Sequence, residues 1–447
     1  MSFLATRMVL VRLLLILVLA AAAAAVEVDE PRLPAAEQEG VYAVLEAISP
    51  EFPWRASFPD DLCLAGPHGV SCDDDGNVSH VVGISLGYVS DFSANPPCVA
   101  PSPLAAATLL TSGLVAASFP RLRRIFIYGC FLQPDDTRPL PPLPWLLPPT
   151  MQDIVLVNNP ALSGRLAISA ARLPLLRRLV IASSGLSGDL PATAFPRLEQ
   201  LVLSGSRFAG RIPPTLINGL DSVKILDFSS NRLAGGIPRA IGGLTQLVKL
   251  DLSSNRLAGP IPEEFGRLAT LELLDLSMNR LTGGVPAALS GMTAIKEMYL
   301  SGNRRLGGPV PAEMLADLKG ISAVGLSDAG LTGPIPESLG ASLQNVTYLG
   351  LDANLLEGEV PSALAKLAGR VRLHGNSAIC LPPEFVAGAS RSHITGVPLC
   401  KATNAVARVF LPTVASAAVS AEKPEAAALL PVMSYWGVVA LFLLVLG

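Results

Sequence analysis

The hydrophobic residues of this chain recur with a regular period. Residues 226–238, 250–262 and 274–286 read LDFSSNRLAGGIP, LDLSSNRLAGPIP and LDLSMNRLTGGVP. Eleven units of the form LxxLxLxxN begin at positions 122, 151, 176, 198, 223, 247, 271, 295, 321, 346 and 368, with spacings of 22 to 29 residues. Such self-similarity is typical of repeat proteins, in which each unit buries its apolar face against its neighbours.

The xLxLx segment of each unit predicts a short β-strand. Side chains alternate across a strand, so Leu250 and Leu252 point inward while Lys249, Asp251 and Ser253 point outward. Parallel pairing of these strands about 4.8 Å apart makes one continuous sheet. The Asn that follows the strand is expected to stay inside and to bond backbone groups that the turn leaves unpaired. These residues are Asn159, Asn231, Asn255, Asn279, Asn303, Asn354 and Asn376.

After the Asn, most units continue as LxGxIP, with a Gly for a tight turn and a Pro that fixes φ. This signature resembles the plant extracellular class of leucine-rich repeats. The resemblance implies an α/β solenoid, a right-handed superhelix with a parallel sheet on its concave face, and a second small sheet with 3₁₀ turns. The array of about eleven repeats occupies residues 119–376.

Some units depart from the pattern. Ser184, Ser206 and Ala329 replace the Asn, so the polar ladder should be weaker there. Residues 159–162 and 303–306 carry one extra residue before the leucine. These extra residues are either insertions without a functional role or small bulges that change the direction of side chains on a binding surface.

The segment before the repeats predicts a cap. Residues 36–48 show helical spacing in Val41, Val44, Leu45 and Ile48. A Trp and a GVSC element follow, which is similar to the N-terminal cap of plant leucine-rich-repeat receptors. The sequence of residues 58–73 resembles the corresponding segment of receptor-like proteins that lack a kinase domain, those of the Too Many Mouths and Piriformospora-insensitive groups. That likeness implies a cell-surface recognition protein in development or microbe sensing.

Both termini are apolar. Residues 1–25 have a basic start, an apolar run and a small-residue tract, which predicts a cleaved signal peptide. The cap should span residues 26–118, a C-terminal cap 377–401 and a linker 402–428. The tail at 429–447 is either a GPI-attachment signal, with Ser416 and Ser420 as lipid-anchor candidates, or a membrane segment. We therefore expect the protein to be located at the outer face of the plasma membrane; the alternative location is the cell wall.

Six cysteines flank the repeat array. Six allow 15 connectivities, and the local pairs Cys63 with Cys72, Cys98 with Cys130, and Cys380 with Cys400 are favoured because they would tie down the two caps. Cys130 occupies an Asn slot and has the alternative of a free buried thiol. Sequons at Asn77 and Asn345 predict glycosylation on a secreted chain.

The net charge and the known sequence motifs limit the classes of function that the chain can have. A net charge of −3 and a pI of about 5.9 give no electrostatic basis for binding nucleic acid. The four histidines lack metal spacing, residues 73–76 lack the pattern of a calcium loop, and no nucleotide, hydrolase or metalloprotease motif occurs. The sequence thus predicts a protein that is not an enzyme and needs no cofactor or metal.

Function should then lie on the outward positions of the sheet. Tyr, Phe and Arg dominate binding hot spots. Asp227, Asp251 and Asp275 belong to the generic DLS string and read as repeat consensus. The partner-binding candidates are Arg124, Phe126, Tyr128, Arg178, Glu297, Tyr299, Tyr348, Asp352, Arg370 and Arg372, drawn from predicted outward triplets that also contain Val180, Ala182, Ser301, Gly350 and His374. The expected partner is a peptide or the ectodomain of a receptor kinase; the alternative is a secreted wall protein like the polygalacturonase inhibitors.

Overall fold

The computed structural model describes residues 32–87, 95–99, 101–102, 104–133, 139–141, 143–367, 369–383, 385 and 396–400. The predicted signal peptide, linker and apolar tail lie outside the described residues. So do Ser416 and Ser420. No helix within the described part of the chain combines the length and apolarity that crossing a bilayer requires.

A helical cap begins the described chain. Helix α1 (Ala35–Ile48) buries Val41, Val44, Leu45 and Ile48, so the helix predicted from their spacing is present. Two short helices follow, α2 (Trp54–Ser57) and α3 (Leu62–Ala65), and then an antiparallel hairpin of β1 (Val70–Asp75) and β2 (Val78–Leu86). Strand β2 also pairs in parallel with the first repeat strand. The cap therefore covers the open end of the array and starts its sheet.

In the main sheet, the strand of each repeat pairs in parallel with the strand of the next repeat. Its register places equivalent leucines side by side, as in Leu226, Leu250 and Leu274. After β2 its strands are β3 (Arg124–Tyr128), β4 (Asp153–Arg165), β5 (Arg178–Asp189), β6 (Gln200–Ser204), β8 (Ile225–Asp227), β10 (Lys249–Asp251), β12 (Leu273–Asp275), β14 (Glu297–Tyr299), β15 (Ala323–Gly325), β17 (Tyr348–Gly350) and β19 (Val371–Arg372). The strands predicted from the LxxLxLxxN pattern are present.

A second set of short parallel strands follows the turn out of each main strand. They are β7 (Arg207–Gly210), β9 (Arg232–Gly235), β11 (Arg256–Gly259) and β13 (Arg280–Leu281), and separately β16 (Thr332–Pro334), β18 (Leu355–Glu359) and β20 (Ala378–Cys380). This is the second sheet that the family resemblance implies.

The return segments are 3₁₀ or short α-helices. The 3₁₀ turns are Arg239–Gly243, Glu263–Arg267, Ala287–Gly291 and Ser362–Leu367. The α-helices are α4 (Ala105–Leu110), α5 (Leu114–Ser118), α6 (Pro214–Ile217), α7 (Ala312–Asp317) and α8 (Ser338–Ser342). In the middle units a proline precedes the turn, as Pro262 does at φ −63°, and fixes the backbone where the turn begins.

One continuous apolar core runs through the caps and the repeats. Leu250 and Leu252 are both fully buried, as the alternation predicts. Because each unit buries its leucines only against its neighbours, the hydrophobic free energy that stabilises the array depends on stacking.

The asparagine ladder is present and buried. Asn255 Oδ1 accepts a hydrogen bond from Leu233 N at 2.9 Å, and its Nδ2 donates to Phe228 O at 2.8 Å in the preceding unit. Where the Asn is replaced, the contacts change. The Ser184 and Ser206 hydroxyls bond each other at 3.0 Å, whereas Asn255 bonds backbone groups of the preceding unit. A weaker ladder at these units stays a prediction.

The cysteines form the three local pairs. Cys63–Cys72, Cys98–Cys130 and Cys380–Cys400 are disulfide-bonded, with Cα–Cα distances of 5.7, 4.9 and 4.8 Å. The alternative of a free Cys130 thiol is wrong, because Cys98 lies within bonding distance of it. Asn77 and Asn345 are both exposed, as glycosylation requires, and their glycosylation stays a prediction.

The first insertion is a bulge. Between β4 and β5 the register shifts, so Asn159 lies opposite Ser184 but Ser163 lies opposite Gly185. Residues 160–162 of β4 therefore form the bulge, and Ala161 and Leu162 among them are buried in the core. At 303–306 the chain turns without forming a strand.

Candidate ligand-binding face

Outward side chains of the main sheet form columns, because the strands are in register. The middle column changes character along the array, from apolar through acidic to aromatic and basic. In order it contains Phe126, Val155, Val180, Val202, Asp227, Asp251, Asp275, Tyr299, Gly325, Gly350 and Arg372. This face corresponds to the concave side of the leucine-rich-repeat fold.

Two aromatic side chains lie over glycine positions at the C-terminal end of this face. A Cβ at Gly325 would lie 2.9 Å from Tyr299 Cδ1, and one at Gly350 would lie 2.7 Å from Tyr348 Oη. The missing side chains of the two glycines thus leave room for the tyrosines to rest on the backbone. The Tyr299 hydroxyl donates to Glu297 Oε2 at 2.9 Å. Burial, followed by this hydrogen bond, raises the pKa of Tyr299, so the hydroxyl stays protonated.

Two arginines border these rings. The Arg372 guanidinium carbon lies 5.3 Å from the centroid of the Tyr348 ring, within the range of a cation–π contact. Arg370 donates to Val346 O at 3.3 Å, and both arginine side chains are exposed. We call Tyr299, Tyr348, Arg370 and Arg372 the tyrosine–arginine patch. The structure brings all four predicted residues into one area.

A chain of polar contacts borders the patch on the third outward column. Ser327 Oγ donates to Asp352 Oδ1 at 2.6 Å, and His374 Nε2 lies 3.5 Å from Asp352 Oδ2. Ser327 N donates to Ser301 Oγ at 3.2 Å. Asp352 was predicted as a contact residue, and it is held in place by these partners. Gly350 was predicted only as an outward position, and Gly325 and Ser327 were not predicted at all, because small residues at outward positions carry no recognisable signal.

The other predicted candidates lie at the opposite end. Arg124, Phe126 and Tyr128 all lie on β3, with Arg124 exposed and the two aromatic residues half-buried. Seven strand steps separate β3 from β14, which is roughly 34 Å at about 4.8 Å per step. The structure does not bring these residues into contact with the tyrosine–arginine patch.

Two of the three residues in the second predicted triplet are not exposed, so they cannot contact a partner as predicted. Val180 is fully buried and Ala182 is 6% exposed, although both point away from the core. The neighbours of Val180 in the middle column, Val155 and Val202, are buried as well, at 4% and 0% exposed. Arg178 is present on the surface, but Asp153 already holds it through two hydrogen bonds, Nε to Oδ1 at 2.9 Å and Nη2 to Oδ2 at 3.1 Å. The hydrogen bond to Asp153 raises the pKa of Arg178.

Three aspartates are stacked in the centre of the face. Lys249 Nζ lies 3.2 Å from Asp227 Oδ2 and 3.7 Å from Asp251 Oδ2. Burial raises the pKa of Asp251 to about 7, and the Asp227 and Asp275 carboxylates act in the same direction. Burial also raises the pKa of Asp275. Each carboxylate accepts from a serine two residues on, as Asp251 does from Ser253 at 2.7 Å, which fits the structural reading of the DLS string.

Within the described ranges, no group of three or more His, Cys, Asp or Glu side chains could hold a metal ion.

Comparison with known proteins supports the repeat pattern. The family model described as "Leucine rich repeat" matches residues 196–257, and a second, "Leucine Rich Repeat", matches residues 270–292. Protein TOO MANY MOUTHS of Arabidopsis thaliana is 32% identical over 164 residues, which cover 36% of this chain and 26% of that protein.

Solved plant receptor ectodomains share the fold. The ectodomain of the Arabidopsis receptor kinase HAESA, in complex with an N-terminally extended IDA peptide hormone, is 25% identical with a TM-score of 0.57 and covers 77% of this chain and 53% of that one. HAESA with the peptide hormone IDA and the co-receptor SERK1 is 29% identical with a TM-score of 0.50, covering 60% and 44%. The chain spans about half the length of these ectodomains and about a quarter of the curated relative.

Proposed function

Because this chain is a leucine-rich-repeat protein with the ectodomain fold of plant receptors, we propose that it is a recognition protein of the cell surface. In this proposal, the concave face binds a peptide or the ectodomain of a receptor kinase, and the partner kinase supplies the signal. The observation that carries the proposal is the tyrosine–arginine patch, in which two aromatic rings beside glycine positions and two exposed arginines share one area.

The patch has the physical properties of a binding hot spot. Tyrosine and arginine bury a large area on binding, and the side chains here are already held by Glu297, by the glycine positions and by the Val346 carbonyl. Side chains that are fixed before binding lose less conformational entropy when a partner arrives. The exposed guanidinium groups are suited to anionic or carbonyl groups of a peptide.

Similar proteins favour this class of partner. The two HAESA structures are complexes with a peptide hormone, and one of them also contains a co-receptor. The disulfides fit an oxidising, extracellular compartment. We propose that the protein acts at the outer face of the plasma membrane, held by its C-terminal tail, and that it catalyses no reaction.

The test is capture of a partner by the mature ectodomain. A variant with Tyr299→Ala and Arg372→Ala should lose capture by at least about 30-fold, since two hot-spot side chains contribute about 2 kcal/mol or more. Lys366→Ala, an exposed change on a 3₁₀ turn, is the matched control and should capture normally. Capture at full strength by a folded double variant would rule out this patch.

The secreted wall protein or inhibitor remains the second candidate. Release from intact cells by a phospholipase that cleaves GPI anchors would support the surface protein. Recovery from the culture fluid alone, with the tail absent and none in the membrane fraction, would favour the inhibitor.

A further inference from the structure

The three stacked aspartates lie directly beside the tyrosine–arginine patch. Asp227, Asp251 and Asp275 occupy the middle outward column on β8, β10 and β12, and Tyr299 follows Asp275 in the same column on β14. We call the three aspartates the aspartate stack. Because the strands are in register, neighbouring members are about 4.8 Å apart, a distance at which like charges repel each other. The stack therefore needs positive charge beside it.

The chain supplies little positive charge for three carboxylates. Oδ1 of each aspartate accepts a hydrogen bond from a serine hydroxyl two residues on, at 2.6 to 2.7 Å. Lys249 Nζ lies 3.2 Å from Asp227 Oδ2 and 3.7 Å from Asp251 Oδ2. On the next strand Leu273 takes the place of Lys249, and among the described residues Asp275 Oδ2 has no hydrogen bond and no cation within 4.0 Å. Asp275 is half-buried, so this open oxygen can be reached from the face.

An unpaired donor lies on the other side of the stack. Gln200 occupies an outward position on β6, in the column of Lys249, and it is 6% exposed. Its Nε2 is buried without a hydrogen-bond partner among the described residues. Such a group destabilises a folded protein until an acceptor is supplied. Unlike the short side chain of Val180, the Gln200 side chain has three rotatable bonds, so its amide can turn towards an acceptor on the face.

These two open groups select the kind of ligand. A metal ion or a fully protonated polyamine could neutralise Asp275, but neither carries an acceptor for the Gln200 amide. A peptide carries both, since it has backbone carbonyl oxygens and can have a basic side chain. Strands β6 and β12 are three strand steps apart, roughly 14 Å, and an extended peptide spans this distance with about four residues.

Resting on the proposed function, we infer that Asp275 selects a basic residue in the partner peptide. The Lys or Arg side chain of the peptide pairs with the open carboxylate oxygen of Asp275, and a backbone carbonyl about four residues away accepts a hydrogen bond from Gln200. A peptide with a neutral residue at this position would cover the carboxylate without pairing it, which gives specificity. The tyrosine–arginine patch begins one strand further on, so one extended peptide can contact both.

A peptide library tests this contact without the natural partner. The wild-type ectodomain and the Asp275→Asn ectodomain each select binders from a random library of linear peptides. Wild-type binders should share a Lys or Arg, and the variant should lose that preference. Asp221→Asn removes an exposed carboxylate in the segment before β8, and this matched control should keep the preference. Wild-type binders without a preferred basic residue would overturn the inference and leave the proposed function standing, whereas a selection without binders would contradict both.

A double-mutant cycle measures the contact directly. One selected peptide and its variant with glutamine in place of the basic residue are bound to the wild type and to Asp275→Asn, with folding checked by circular dichroism. The wild type should bind the basic peptide at least about 10-fold more tightly than the glutamine peptide, and Asp275→Asn should bind the two within about 2-fold of each other. An equal preference in the wild type and in the variant would overturn Asp275 as the contact.

Gln200→Met removes the unpaired donor and keeps the length of the side chain. Because the free ectodomain loses only an unsatisfied group, its urea midpoint should be unchanged or higher. The selected peptide should bind about 3-fold more weakly, since the hydrogen bond to its carbonyl is lost. Unchanged peptide affinity would overturn the Gln200 contact.

The Tyr299→Ala, Arg372→Ala variant separates this inference from the proposed function. It should bind the selected peptide more weakly and should still prefer the basic peptide to the glutamine peptide. Full-strength binding with that preference intact would contradict the role of the tyrosine–arginine patch and support the role of Asp275, so the two failures are distinguishable.

Discussion

Replacing Asn255 with alanine tests how the asparagine ladder stabilises the array. In the structure Asn255 makes four hydrogen bonds, one accepted from Leu233 N and three donated to the carbonyls of Phe228, Leu252 and Ser253; the bond to Ser253 is part-buried and the others are buried. The three carbonyls each keep a second donor, namely Asn231 Nδ2, Asn279 Nδ2 and Ser230 N. Only the amide of Leu233 loses its acceptor.

The expected cost follows from that count. One buried amide without a partner costs about 1–3 kcal/mol, so the free energy of unfolding should fall by this amount and not by the sum of four bonds. Urea denaturation measures the change, and native-state hydrogen exchange should show a faster Leu233 amide. Arg256→Gln, an exposed change at the next residue, is the control and should leave stability unchanged. Stability of Asn255→Ala equal to that of the control would refute the ladder as a stabilising element.

Three further outcomes follow from the geometry. Asn354→Ala should destabilise the protein about twice as much as Asn255→Ala, because Asn354 Oδ1 accepts from two backbone amides, at 3.0 Å each; equal urea midpoints would contradict this. Because the pKa of Asp251 is raised to about 7 in the folded state, the folded chain binds more protons than the unfolded chain between about pH 4 and pH 7. The free energy of unfolding should therefore fall as pH rises through this window. Asp251→Asn should flatten this pH dependence, and an unchanged pH profile of stability in the variant would refute the role of Asp251. Gly350→Ala should displace the Tyr348 ring and weaken partner capture with folding retained, as checked by binding and circular dichroism; normal capture would show that the ring position is not needed.

The repeat architecture could be read from the sequence because it depends on local pattern. Leu250 and Leu252 point into the core because inward and outward positions alternate, and the same alternation occurs in each unit. The inward leucines of each unit are buried by stacking against the neighbouring units. The plant leucine-rich-repeat fold predicted on this basis is confirmed, as is the resemblance to receptor-like proteins. The cap helix is also correct, since Val41, Val44, Leu45 and Ile48 define one buried face.

The surface could be predicted only in part. Alternation shows that Val180 points outward, but not that it is buried. Nor does it show that Arg178 is already occupied by Asp153 on the adjacent strand, 25 residues away. Gly325 and Gly350 shape the patch through side chains that they lack, and this becomes visible only when the positions of the tyrosines are known. Contacts between units decide such features, and a single unit does not contain them.

Photo-crosslinking on intact cells would test the proposed binding face most directly. A photoreactive residue at Ser327, beside the tyrosine–arginine patch, should yield a covalent adduct with the partner. The same residue at Glu337, an exposed position that precedes helix α8, should yield none. Adducts from Glu337 alone, or equal adducts from both positions, would contradict recognition through the concave face.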